Sequence, residues 1–372
     1  MIYLDNASTT QISLGIADEI YETMKFFGNP SNIYKIGKES KQMLRKAQEQ
    51  VANVIGAEPE EIYFTSGATE SNNLAINQRE YCLCSPYEHH SVLKIPKVSD
   101  RDDILPYLKY LRQERNYPNI KGHFINSKEY KSNCMISHML VNNETGEIFD
   151  IEEMFDICNE LGILTHTDAT QAIGKIPVNV KELGAKMLSL SGHKFHCPKG
   201  IGVLYISKEI NPIKPLFYGG HQQHLVRPGT ENIPYIVGIG YGIEAASKKM
   251  EKFHNYSQKL KDIFLNQLNS KNIDYRLNSP ENSIPSIISI SFKNVEGEAL
   301  GAILSDKEIY VGTGSACTTG DFEPSHVLKA MNVPDEYING TLRISTGWDN
   351  TEEEMIIAAN EIANAYNYLS KE

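Results

Sequence analysis

The sequence is poor in tryptophan, with a single residue at Trp348, and thin in cysteine, with six among 372 positions. Cys82, Cys84, Cys134, Cys158, Cys197 and Cys317 are scattered along the chain. A secreted disulfide scaffold is short and cysteine-dense, so reduced thiols are expected. Missing too is any run of about 20 apolar residues of the kind that spans a bilayer. Met1 to Thr10 contains no basic stretch followed by an apolar one. A cytoplasmic protein without a secretory leader is therefore expected. No Gly-x-x-x-x-Gly-Lys-Ser/Thr segment occurs, and no Gly-x-Gly-x-x-Gly follows a strand, so the common nucleotide-binding loops are not indicated. Basic charge is in deficit: 36 Lys and Arg face 47 Asp and Glu, a net charge of −11. That argues against a general nucleic-acid binder and against a basic membrane-surface protein.

What is present suits a globular chain of two ordinary domains, with 41% hydrophobic and 22% charged residues. Helical and strand-like patterns alternate through the first two thirds. Glu39 to Ile55 reads as a helix stopped by Gly56, Ile62 to Phe64 as a short buried strand, and Thr65 to Thr69 as the turn into another helix. Met135 to Val141, Ile163 to Thr167, Met187 to Leu190 and Val203 to Ile206 read as further strands. Such alternation predicts a mainly parallel α/β sheet covered by helices on both faces, with its site at the carboxyl ends of the strands. After about Gly242 the pattern changes to a polar helix from Ala245 to Leu268, a strand from Ser286 to Phe292, a small-residue loop from Gly312 to Gly320, and a closing helix from Glu352 to Leu369. We expect a large domain over 16–244 and a smaller α+β domain formed by 1–15 and 245–372.

Several constellations could carry chemistry. Lys194, after a strand and preceded by Ser191-Gly192-His193, suits a Schiff-base lysine, although most lysines are solvated surface charges. Asp168 ends an apolar strand; such a carboxylate needs a cationic partner, a pyridinium nitrogen being one, or else serves as a helix N-cap. Ser66 to Glu70 follows a strand and opens a helix, which makes an anion site or an ordinary turn. Glu88-His89-His90 lacks metal-ligand spacing, so His89 is read as a ring-stacking, proton-exchanging imidazole and His90 as a bystander. Cys317 lies in a loop of small residues, unlike the other cysteines, where functional and structural readings balance. Arg343 has the fork that grips a carboxylate, or makes a structural ion pair.

Taken together these segments resemble the cysteine desulfurases, in the class V aminotransferase-like branch of fold type I pyridoxal-phosphate enzymes. The resemblance rests on ten stretches in order. They are Tyr3 to Thr10, Gly28 to Ser31, Phe64 to Asn72, Glu88-His89, Val141 to Gly146, Asp168 to Gly174, Ser191 to Gly202, Arg227 to Asn232, Gly314 to Cys317 and Leu342 to Ser345. It implies pyridoxal 5'-phosphate held covalently by Lys194, which also moves the Cα proton. Asp168 would pair with the pyridine nitrogen, Gln171 with the ring hydroxyl, and His89 would stack on the ring and shuttle a proton. Ala68, Thr69, Ser191 and His193 would bind the phosphate, with Thr230 reaching it from the other subunit of a homodimer. Asn143 would contact the cofactor and, with Arg343 and Asn29, hold the substrate carboxylate. Cys317 would take sulfur from L-cysteine as a persulfide. The stretch between Cys317 and Glu323 resembles the longer mobile loop of members serving iron–sulfur cluster assembly and transfer-RNA thiolation, which implies a sulfur-acceptor protein.

Two departures stand out. The stretch from about Val92 to Cys134 reads as irregular, and Cys197 occupies a place where the family has glycine, so strain at a positive φ is expected there. Competing readings are a pyridoxal-phosphate lyase or aminotransferase for another amino acid, selenocysteine included, and a non-catalytic interaction protein that keeps the fold.

Overall fold

In a computed structural model, the structure describes residues 1–102, 104–113, 133–313 and 324–371. The chain divides into two compact units. One comprises Met1–Thr10, Val141–Ile148 and Lys249–Glu372; the other comprises Gln11–Leu140 and Phe149–Lys248. The short segment Val141–Ile148 thus joins the terminal unit, which pattern reading along the chain did not anticipate.

The larger unit is built on a seven-stranded sheet in the order β2-β8-β7-β6-β5-β3-β4. The strands are β2 Ile62–Thr65, β3 Tyr81–Cys84, β4 Val98–Asp100, β5 Cys134–Ser137, β6 Leu164–Asp168, β7 Met187–Ser191 and β8 Gly202–Ile206. β4, β3, β5, β6 and β7 pair in parallel, and β8 runs antiparallel to both of its neighbours. β2, β5, β6, β7 and β8 are buried at every residue, as strands covered on both faces must be. Thr65, Cys84, Ser137, Asp168 and Ser191 all end their strands at the same edge of this sheet, and the turns that follow them carry the candidate residues.

The terminal unit carries a five-stranded sheet, β1-β11-β12-β10-β9, from β1 Ile2–Leu4, β9 Tyr275–Leu277, β10 Ile287–Phe292, β11 Ile309–Thr313 and β12 Thr341–Ser345. Its core joins Leu4, Phe264, Ile290, Phe292, Leu300, Leu342 and Ile362. The closing helix Glu352–Leu369 starts with a capping box: Thr351 accepts from the Glu354 N–H, and Glu354 accepts from the Thr351 N–H.

Three expectations are corrected. The helix expected from Ala245 begins twelve residues earlier and spans Ile233–Asn269. Its first half is apolar and buried at Ile236, Val237, Ile239 and Ile243, so the polar pattern revealed only its second half. Gly312 and Thr313 belong to β11 rather than to a loop. Within the stretch read as irregular, β4 and the helix Ile104–Gln113 are regular, while residues 103 and 114–132 lie outside the described residues. Among the described residues no helix is long and apolar enough to cross a membrane.

Candidate active site

The first turn at the sheet edge follows β2. Gly67, at φ +153°, leads into the helix Ala68–Ile76, and no side chain caps that helix. A Cβ on Gly67 would sit 3.5 Å from Ser191 Oγ, and one on Gly202 would sit 2.6 Å from Gly67 Cα. Glycine at 202 lets the backbone of this turn approach β8 closely, and glycine at 67 permits its φ. Ala68 and the exposed Thr69 thus stand at an open helix N-terminus beside the Ser191 hydroxyl. Such a helix end presents free N–H groups and partial positive charge to an anion.

The second turn follows β6. Asp168 is 5% exposed, and both of its oxygens are engaged. Oδ1 accepts from the Thr170 N–H at 2.9 Å, and Oδ2 accepts from Asn72 Nδ2 at 2.7 Å. No helix follows Asp168, so the N-cap reading gives way to a local turn on one oxygen and a tertiary contact on the other. Beneath it His166 bridges Ser137 Oγ at 2.8 Å and Ser189 Oγ at 2.9 Å. Burial pushes the His166 imidazole down to about 4, against the opposing pull of Asp168. Glu88 is also buried, and burial together with the nearby Asp168 raises its carboxyl well above the ordinary range. Gln171 is buried, and its Oε1 accepts from Lys175 Nζ at 2.5 Å, so its amide nitrogen is turned away from Lys175.

The third turn follows β7. Asp168 pairs in register with Ser189, and two residues beyond Ser189 the strand ends at Ser191. The 3-10 turn Gly192–Lys194 comes next. Lys194 therefore emerges from the strand adjacent to that of Asp168. His193 and Lys194 are half-buried. Burial, and then the charges of Lys194 and Lys199, push His193 down to about 4. It is thus a neutral imidazole near neutral pH.

The strain expected at Cys197 is absent. His196, not Cys197, takes the positive φ of 67°. Cys197 is buried, and its Sγ approaches the Gly238 carbonyl oxygen at 3.6 Å.

His89 is exposed and caps the short helix His90–Leu93: its Nδ1 accepts from the Ser91 N–H. Asn29 is half-buried, and its Oδ1 accepts from the Ser31 N–H at 2.9 Å. Thr230 is exposed in the segment before Ile233. Among the described residues no group of His, Cys, Asp and Glu could hold a metal ion.

In the terminal unit, Arg343 donates from Nη1 to the Asn143 carbonyl at 3.0 Å and from Nη2 to Asp5 Oδ1 at 2.8 Å. Its Nε is buried with no partner beside Gly312, where a Cβ would stand 3.1 Å from it. Ser325 caps the helix His326–Ala330, and its hydroxyl donates to Glu144. Cys317 lies outside the described residues. The structure therefore gathers Asp168, Gln171, Ser191, His193, Lys194, Ala68, Thr69 and His89 on one sheet edge, and it joins Arg343 to Asn143 in the other unit. Sequence reading gave no role to Asn72, Ser91, Asp5 or Lys175. Only Asn72 left a trace, as a poor helix former buried in mid-helix.

The family model described as Aminotransferase class-V matches residues 2–356. The chain is 40% identical to Cysteine desulfurase IscS of Dictyoglomus turgidum, over 95% of this chain and 91% of that one. It is 37% identical to Cysteine desulfurase NifS of Azotobacter vinelandii, over 97% and 91%. Among solved structures, a NifS-like protein aligns at TM-score 0.84 with 32% identity, covering 99% of this chain and 100% of the other. A second, from Rickettsia africae, aligns at 0.87 with 26% identity, covering 99% of each.

Proposed function

Because the chain belongs to the class-V aminotransferases and, within them, to the cysteine desulfurases, we propose that it takes sulfur from L-cysteine, releasing L-alanine and leaving a persulfide on Cys317. The observation that carries this reading is the sheet edge where Asp168, Ser191 and Lys194 leave adjacent strands beside an uncapped helix N-terminus.

These residues fit pyridoxal 5'-phosphate by donor chemistry. The Ala68 N–H, the Thr69 and Ser191 hydroxyls and the neutral His193 form a phosphate cradle. Gly67 supplies the backbone turn at φ +153°, which L side chains rarely adopt, that leads into this helix end. Lys194 supplies the amine that anchors the cofactor. Asp168, buried and accepting on both oxygens, is the partner for a pyridine N–H, and the Gln171 amide nitrogen suits the ring oxygen. When bound, the cofactor supplies an electron sink for charge at the substrate Cα.

The chain's own residues do the rest. Lys194 removes the Cα proton, and His89 covers the ring and exchanges a proton with the reacting groups. Arg343, with Asn143 and Asn29, holds the substrate carboxylate; Asp5 and the Asn143 carbonyl fix the guanidinium for that role. The Cys317 thiolate attacks the substrate sulfur. The sulfur–Cβ bond breaks with its electron pair left on carbon, a proton completes alanine, and the sulfur stays on Cys317. The exposed Thr230 serves the phosphate of a second subunit in a homodimer. The exposed Phe217, Tyr218 and Leu225 support such an interface. In the cytoplasm, an acceptor protein then takes the sulfur for iron–sulfur cluster assembly or transfer-RNA thiolation.

The test is incubation with L-cysteine followed by mass spectrometry of the Cys317 peptide. One added sulfur is expected. Cys317→Ala should lose sulfur release while retaining the cofactor's visible absorbance. A Cys317→Ala variant that still desulfurates cysteine sinks the assignment.

A further inference from the structure

We propose that Ser91 and Asn72 are positioning residues that lock His89 as its Nε2–H tautomer and fasten it to Asp168. The inference rests on the reading of His89 and Asp168 as groups placed against the cofactor ring. Asn72 Nδ2 donates to Asp168 Oδ2 at 2.7 Å and to Ser91 Oγ at 2.8 Å. Ser91 Oγ lies 2.8 Å from His89 Nδ1, and the Ser91 backbone N–H donates to that same nitrogen at 3.1 Å.

The direction of each bond follows from the groups themselves. An amide nitrogen gives hydrogen bonds and does not take them, so Ser91 Oγ is an acceptor from Asn72. That oxygen keeps a second lone pair, so the Asn72 bond by itself leaves the hydroxyl hydrogen undirected. The Ser91 backbone N–H cannot reverse its role and makes His89 Nδ1 an acceptor, so the hydroxyl hydrogen, 2.8 Å away, points to the same atom. With two donors aimed at Nδ1, the ring proton resides on Nε2.

Asn72 is fully buried, and its Oδ1 has no hydrogen-bond partner. The opposite amide orientation would set Oδ1 against Asp168 Oδ2, acceptor against acceptor. Both amide hydrogens are thus committed to Asp168 and Ser91, and the carbonyl is left unpaired. Mid-helix Asn is unfavourable on propensity alone, and this double contact gives the residue a purpose.

Because the amide nitrogen neither accepts nor passes a proton, the chain Asp168–Asn72–Ser91–His89 carries orientation and not protons. His89 consequently meets the reacting atoms as a donor at Nε2, in a ring plane set by Ser91. A second group that fixes the tautomer of a working histidine is a recurring device.

The test uses Ser91→Ala and Ser91→Thr, since Ser91 is only half-buried and its truncation leaves the core intact. The tautomer of His89 is read by heteronuclear NMR of labelled histidine rings, in cofactor-free and in loaded protein, with His89→Gln assigning the signal. The native protein is expected to show Nε2–H. Ser91→Ala should show a mixture of tautomers and lose kcat by roughly tenfold, short of the about 10²–10⁴-fold that a positioned acid–base group contributes as a whole. KM for cysteine should stay within about twofold, and Ser91→Thr should restore both tautomer and kcat. A native His89 protonated on Nδ1, or a Ser91→Ala variant with unchanged tautomer and kcat, overturns the inference. Native protein that shows Nε2–H yet takes up no cofactor supports the lock and sinks the functional reading. Coloured, active protein that is indifferent to Ser91→Ala sinks the lock alone.

Discussion

Cys197 Sγ fills the space above Gly242 so fully that a Cβ at position 242 would stand 1.9 Å from it. Cys197 is thus matched by a glycine 45 positions later in the helix Ile233–Asn269. The pair packs as one unit, the sulfur filling the room that the missing Cβ leaves.

Gly242→Ala should therefore destabilise the protein by about 1–3 kcal/mol through overpacking. In a Cys197→Ala background the same change should be near neutral, because the clashing sulfur is gone and alanine is the better helix former. A double-mutant cycle by denaturant unfolding measures the coupling. Additive effects would show that the contact does not govern the site.

Asp5 restrains Arg343 from one side while the Asn143 carbonyl restrains it from the other. Asp5→Asn should loosen the guanidinium and raise KM for cysteine about tenfold with a smaller change in kcat, since a lost ground-state contact acts chiefly on binding. Steady-state kinetics check this. A loss confined to kcat would assign Asp5 to the chemical step instead.

Lys175 occupies Gln171 Oε1 and so decides which end of that amide faces the ring oxygen. Lys175→Met should free the amide to turn over. The expected results are weaker cofactor retention, by roughly tenfold if one charge-assisted hydrogen bond is lost, and a shifted pH midpoint of the cofactor's visible band. Spectrophotometric titration reads both, and an unchanged band would remove Lys175 from this role.

His166 is held neutral by burial, with its value lowered from 6.5 to about 4. Between those limits the unfolded chain binds a proton that the folded one refuses, so this contribution to stability is complete above about pH 6.5 and is lost as pH falls. His166→Gln should flatten the pH dependence of unfolding by up to one proton across that window. Denaturant midpoints at several pH values test it, and an equal slope in both proteins would contradict the assignment.

The alternating patterns marked β2, β6, β7 and β8 within a residue or so, because strands buried on both faces are short unbroken apolar runs bounded by turn residues. The helix Ile233–Asn269 was half missed for the opposite reason: its first half is apolar all round, and burial on every side removes the amphipathic stripe that announces a helix. Asp168 and Lys194 could be singled out because one ends a strand and the other follows one, each in a recognisable segment. The roles of Asn72 and Ser91 could not, since neither residue type is rare or conspicuous.

By itself the sequence determined the parallel sheet, the order of the motif segments and, through them, the family, since local propensity and segment order are properties of the chain read in one dimension. The tertiary structure alone decided the partners of each polar group. Asn72 meets Asp168 across 96 positions and Ser91 across 19, and hydrogen-bond direction depends on which atoms face each other after folding. The same holds for Cys197 and Gly242, whose complementarity is a matter of volume in three dimensions and leaves no periodic mark along the chain.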